Sequence, residues 1–254
     1  MNSQVSEINF DNINNHTLSE IVTDNYHTSA VFDKYNLDFC CRGNITFENA
    51  CKENSLDPEI VFAEIEKVYS NSIFNDQRYE EWELDFLIDY ILNIHHKYVT
   101  RMIPVIAEHC NKVVASHGES HPELNKIFEF FSIIYKDLKQ HMLKEEQMLF
   151  PYIRKLVKAK QNNTKTERPY FGSVRNPIRM MESEHENAGD GFHEIKRRSN
   201  NYSIPEDGCE TYAVLYKELK EFEDDLHKHI HLENNILFPK AIELENEMLK
   251  VGQG

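Results

Sequence analysis

Apolar residues recur at helical spacing along most of the chain, and the helices they predict change in length part-way. From Thr17 the period gives short helices. Thr17 and Glu20 are spaced as a capping box, with Leu18, Ile21 and Val22 on one inward face. A second helix is expected over residues 28–35 with Val31 and Phe32 inward, and a third over residues 47–52. A longer fourth begins at Asp57-Pro58, where proline suits the first helical position, and runs to about Ser70. Residues 1–15 carry little pattern and read as a mobile tail, residues 16–72 as a small helical domain, and the polar stretch 73–81 as a linker.

From residue 82 to 254 the predicted helices are long. The first carries Phe86, Leu87, Ile91, Ile94, Tyr98, Met102, Ile103 and Ile106 at helical spacing, with Pro104 expected to kink it. The second opens at His121-Pro122 and passes through Leu124, Ile127, Phe131, Ile134 and Leu138 to about Val157. The third starts near Pro177, and residues 200–209 break it; the fourth runs from about Glu210 to Leu249. Without a hairpin signal among them, four such helices imply an all-α fold with an up-down-up-down four-helix bundle.

Charge narrows the partners. A formal net charge of −15 lacks the positive footprint that nucleic acid or an anionic membrane surface requires, so both are excluded. No stretch approaches the roughly 20 apolar residues of a membrane span, and residues 1–15 lack the basic start and apolar run of an export signal. The five cysteines form an odd set with no repeated framework, which fits a reducing compartment, and a cytoplasmic location is expected.

One segment occurs twice. Residues 138–151 and 226–239 each place a histidine, a glutamate four residues later and Leu-Phe-Pro after that: His141, Glu145 and Leu149-Phe150-Pro151, then His229, Glu233 and Leu237-Phe238-Pro239. His96 and His185 precede the two copies at nearly equal spacing. Positions i and i+4 lie one turn apart on one helix face, so each His-Glu pair can converge on one centre. Met181, Ala188 and Phe192 put His185 on a buried stripe, and Phe222, Leu226, Leu232 and Ile236 do the same for His229. Ile134, Leu138 and Met148 flank His141, with Asp137 the exception, while Leu92, Val99 and Ile103 flank His96. His95 has an apolar face nearly as good, and periodicity does not separate the two.

A lone inward histidine is more often a hydrogen-bonded core residue than a ligand. Four of them with two carboxylates are different, because burying that set uncompensated costs several kcal/mol per carboxylate. A metal pair satisfies it, and imidazole with carboxylate suits iron or manganese better than a structural zinc site. His193, His227 and His231 have polar helical neighbours and are expected in solvent, whereas His109, His117 and His121 read as surface residues near a helix end. Cys51, Cys110 and Cys209 read as inert.

The segments His141-Met-Leu-Lys-Glu145, Met181-Glu-Ser-Glu-His185 and Leu232-Glu233-Asn-Asn-Ile-Leu-Phe-Pro, with Asp38-Phe-Cys40-Cys41, resemble a known family across nearly the whole chain. It is the repair of iron centres family: hemerythrin-like di-iron proteins with an ScdA-type N-terminal domain that repair iron-sulfur clusters. The resemblance implies a hemerythrin-like bundle holding two iron ions, oxo- or hydroxo-bridged. It also implies His96, His141, His185 and His229 as ligands, favouring His96 over His95, with Glu145 and Glu233 bridging. His117 matches a further histidine near the family's centre, outside the ligand set.

Implied with these are damaged iron-sulfur proteins as targets, nitric oxide or oxygen as small-molecule partners, a thiol or electron donor, and a homodimer. Oxygen carriage or sensing and nitric oxide reduction are the alternative activities. Cys40 and Cys41 are expected to do thiol chemistry. Arg42 departs from the family's usual Cys-Cys-Gly-Gly, and its charge favours thiolate at the pair.

Overall fold

A computed structural model describes residues 8–71 and 78–251. The chain divides into two compact units: Met1–Glu83 with His231–Ile236, and Leu84–Ile230 with Leu237–Gly254. No strand occurs among the described residues, and Thr17 and Thr46 form one isolated antiparallel bridge.

The first unit contains α1 (Leu18–Asp24), α2 (Ser29–Lys34), α3 (Phe47–Glu53) and α4 (Pro58–Asn71). The capping box forms: Glu20 N–H donates to Thr17 Oγ1 at 3.2 Å, and Thr17 N–H donates to Glu20 Oε2 at 2.9 Å. Leu18, Ile21, Phe32, Phe39, Phe47, Val61 and Ile65 make its core. The loop after α2 is strapped to the start of α1, with Ser19 N–H donating to the Gly43 carbonyl at 2.9 Å and Leu18 N–H to that of Ile45 at 3.0 Å. Gly43 is required by close approach, because a Cβ there would stand 2.2 Å from the Phe39 carbonyl oxygen. In the same unit, Asn234 and Asn235 donate to the carbonyls of Cys40 and Phe39 at 3.1 and 3.3 Å.

The expected tail is ordered over part of its length: Phe10–Asn15 forms a 3₁₀ turn with Ile13 buried, while residues 1–7 lie outside the described residues. Most of the expected linker lies outside them too. Its end is a 3₁₀ turn, Tyr79–Glu81, with Tyr79 buried edge-on against Trp82.

The second unit is the four-helix bundle that the helical period predicts. Its first long helix joins α5 (Leu84–Tyr90) to α6 (Lys97–His117) through a π-helical turn, Ile91–His96. The second joins α7 (Glu123–Lys144) to α8 (Phe150–Gln161) through another, Glu145–Leu149. The third is α9 (Arg175–Arg198), and the fourth runs from α10 (Glu210–His231) to α11 (Phe238–Val251) through the π-helical Leu232–Leu237, of which residues 232–236 belong to the first unit. Phe222 of α10 ties the four together, with ring centroids 6.1 Å from Tyr98, 5.6 Å from Phe131 and 5.7 Å from Phe192. Alpha-helices 7 and 9 pack along each other, and Gly191 lets them approach: a Cβ there would come 2.8 Å from Ile134 Cδ1 and Cγ1.

Two residues expected inward point out, Phe86 at 54 % and Ile94 at 48 % exposed. The π-turn explains Ile94, since its extra residue shifts the helical phase that a 3.6 period assumes. Alpha-helix 6 runs on through Pro104, and the change in winding lies earlier, in the π-turn. Among the described residues no helix is long and apolar enough to cross a membrane.

Candidate metal centre

The π-turns sit where the chemistry is. His96 closes the first, Glu145 opens the second, Glu233 lies in the third, and His141 and His229 stand one turn ahead of their glutamates. Such turns are frequent at functional sites because they re-aim side chains within an otherwise regular helix. His185 comes from unbroken α9. All six side chains are buried, and both carboxylates have no exposed surface.

They form two groups of potential ligands. His96, Glu145, His229 and Glu233 bring one ligand atom each within 4.8 Å of one another, and so do His141, Glu145, His185 and Glu233. Glu145 and Glu233 belong to both groups. Glu145 Oε2 lies 3.4 Å from His96 Nε2 and 3.4 Å from His141 Nε2, and His141 Nε2 lies 3.0 Å from His185 Nε2. Four imidazoles and two carboxylates without exposed surface fit a metal centre, because a cation offsets the cost of desolvating the acids, and this N/O donor set suits iron or manganese.

Carboxylates hold the rings from behind. His96 Nδ1 lies 2.8 Å from Glu146 Oε1, and His141 Nδ1 lies 2.9 Å from Glu184 Oε2. A carboxylate on Nδ1 fixes the tautomer that keeps Nε2 free to ligate and raises its basicity. The His141 bond, assisted by Lys144, holds the Glu184 carboxyl down to about 2. The repeated Leu-Phe-Pro also has a place: Phe150 stacks on His96 at 5.8 Å and Phe238 on His185 at 6.1 Å.

Residues 87–241 match the sequence profile of the Hemerythrin HHE cation binding domain, and residues 14–69 that of a Domain of Unknown Function, DUF542. The chain is 33% identical over 225 residues to the iron-sulfur cluster repair protein YtfE of Shigella boydii serotype 4 (strain Sb227), an alignment covering 89% of this chain and 96% of the relative. Proteins of the same name from Escherichia coli O17:K52:H18 and O157:H7 are 32% identical with the same coverage. The chain belongs to the hemerythrin-like repair of iron centres family.

Against this family's expected ligand set, His96 stands in the first group and His95 in neither. His95 is buried all the same, with Nδ1 3.0 Å from Asp225 Oδ1 and its ring stacked on His229 at 5.6 Å. His117 is outside both groups, at the far end of α6, roughly 30 Å along the axis from His96. His109 and His121 pair with carboxylates there, His109 with Glu218 at 2.6 Å and His121 with Asp207 at 2.8 Å. His193 is exposed, but His231 is completely buried, contrary to expectation. Asn235 contacts its Nδ1 at 2.9 Å, and Tyr26 and Phe39 cover its ring.

Cys209, expected to be inert, is exposed at the start of α10, where a hydrogen bond with His117 and nearby backbone N–H groups lower its thiol pKa. Sequence reasoning passed over Glu146 and Glu184, whose partners lie on other helices. It also passed over Glu245, which is buried on the apolar stripe of Ala241 and Met248, a spacing that marks it in the sequence.

Proposed function

We propose that the chain repairs iron-sulfur clusters, using a pair of iron ions held in the bundle. The observation that carries this reading is the sharing of Glu145 and Glu233 between two histidine groups, which is the arrangement a bridged pair of cations needs. His96 and His229 would hold one ion and His141 and His185 the other, with Glu145 and Glu233 shared between them. Bound there, iron supplies a redox-active and exchangeable cation. Glu146 and Glu184 orient His96 and His141, and Phe150 and Phe238 exclude water from two of the rings.

A cavity lined by Leu138, His141, Lys144, Glu184 and Ala188 offers small molecules an approach. The targets are damaged iron-sulfur proteins and the setting is the cytoplasm. The similarity to proteins named for iron-sulfur cluster repair, over 89% of the chain, supports this choice of target. In the same work Cys40 and Cys41 act through their sulfur atoms.

Anaerobically prepared protein should carry about two irons per chain and restore activity to an enzyme whose cluster has been damaged by nitric oxide. Glu145→Ala and Glu233→Ala should each lose both irons, whereas His96→Ala and His185→Ala should retain part of the load. Full iron content in Glu145→Ala would overturn the bridging assignment. A reversible oxygen complex without any restored activity would replace repair by oxygen carriage.

A further inference from the structure

Outside the bundle, the loop after α2 gathers three potential ligands. Asp38 Oδ1 accepts the backbone N–H groups of Cys40 and Cys41 at 3.1 and 2.9 Å and lies 3.4 Å from Cys40 Sγ. The two sulfurs are 3.8 Å apart, both thiols are free, and one ligand atom from each of the three residues lies within 4.8 Å of the others. Cys40 is buried, while Asp38 and Cys41 are half-buried, so the cluster has an open side.

These separations can be compared with a coordination polyhedron. A tetrahedral cation with sulfur bonds of about 2.3 Å and an oxygen bond of about 2.0 Å has an S–S edge of about 3.8 Å and an S–O edge of about 3.5 Å. The loop holds its donors at 3.8 and 3.4 Å. Its shape is fixed by Asp38 Oδ1 on the two backbone N–H groups and, from outside the ligand set, by the Ser19 bond to Gly43 and the Asn234 bond to the Cys40 carbonyl. Ordering entropy is therefore spent on folding and not on binding.

We propose that Cys40 Sγ, Cys41 Sγ and the Asp38 carboxylate form a second cation site, taking one thiophilic divalent cation of the zinc(II) or iron(II) class. Two sulfurs select against magnesium and calcium, which prefer all-oxygen shells. Three protein donors leave one tetrahedral position open, as in sites that exchange a ligand, and suit passage of a cation better than permanent storage. Binding displaces the two thiol protons to solvent, so the cation and the paired thiols exchange for a dithiolate complex and two protons. A hydrogen bond with Cys41 and burial hold the Cys40 thiol well above its usual range, the opposite of what the charge of Arg42 predicts. The site stands independently of the bundle, whose ligands include no sulfur.

Cadmium(II) is a suitable probe, because its charge-transfer absorption appears only with thiolate ligands. Titrated into reduced full-length protein, it should give one equivalent of thiolate-bound cadmium and release about two protons. Cys40→Ala with Cys41→Ala, and separately the milder Cys41→Ser, should abolish the band with helical content retained. Asp38→Asn should weaken it, and His229→Ala with Glu233→Ala should leave it intact. A band that persists in folded Cys41→Ser protein, or moves with Cys209→Ala instead, overturns the proposal. So does the absence of any band in wild-type protein with verified free thiols. Loss of iron from the bundle variants with an unchanged cadmium band separates this site from the di-iron reading.

Discussion

Glu184 Oε2 lies 2.9 Å from His141 Nδ1, on the side of the ring away from Glu145. The carboxylate is thus in series with a candidate ligand without joining either ligand group. Glu184→Gln should lower the bundle's affinity for metal by roughly 10- to 100-fold, the range found when partners of a ligating histidine are removed. Competition against a chelator of known strength measures this, with far-ultraviolet circular dichroism as the control for folding. Unchanged affinity in a folded variant would show that the bond is structural only.

Glu245 is a second buried carboxylate, but its task is architectural. Tyr152 Oη–H donates to it at 2.9 Å, Ser173 Oγ–H at 2.5 Å and Val174 N–H at 2.9 Å, so α11 caps the start of α9 from across the bundle. Removing the shared acceptor from these three donors, two of them buried, costs on the order of 3 kcal/mol. Glu245→Ala should therefore lower Tm by roughly 6–12 °C at this chain length. Glu245→Gln, which keeps one acceptor oxygen, should fall between, and an unchanged Tm for the alanine variant would rule out the cap.

Glu223 gives a dependence on pH. Burial raises its pKa, and His227, Lys196 and Lys220 counter this only in part. Its sign follows from proton counting: above the ordinary carboxylate pKa the unfolded chain has released this proton and the folded chain still holds it. Stability accordingly falls as pH rises from that ordinary value through the raised one. Glu223→Gln should remove this slope, with a Tm advantage over wild type that grows across the same interval and then levels off. Parallel melting curves for the two proteins over pH 4–8 would contradict it.

Thiol labelling should be ordered. Burial pushes the Cys51 thiol up to about 11 and that of Cys110 to about 12, whereas Cys209 is exposed and its pKa lowered by His117. Iodoacetamide near neutral pH should modify Cys209 well before Cys51 or Cys110, and His117→Ala should slow that first reaction. Peptide mass mapping of a time course reads the order directly.

The duplicated segment was legible in the sequence because histidine and glutamate one turn apart need only helical phase to share a face. The structure adds why Leu-Phe-Pro accompanies them. In both copies the π-turn ends at the leucine, the α-helix resumes at a phenylalanine stacked on a histidine, and a proline without an N–H follows. Periodicity did not reveal Glu146 and Glu184, because a partner on another helix leaves no mark in its own strand of sequence. Ile94 was misplaced for the opposite reason, since a period counted through Ile91–His96 counts through one residue too many. His231 failed because its cover, Tyr26 and Phe39, is remote in sequence.

The three π-turns also make the chain unequally tolerant of change. An α-helix advances about 100° per residue, so each inserted residue sets the angle at which everything beyond it faces the core. Away from His96, Glu145 and Glu146, a substitution within Ile91–His96 or Glu145–Leu149 acts locally, but loss of a single residue there lets the turn relax to α and rotates the downstream half of the helix relative to the upstream half. Natural variation in this fold should therefore spare His96, Glu145, Glu146 and Glu233, accept exchanges of side chain at the other positions of these turns, and accept almost no change in their length.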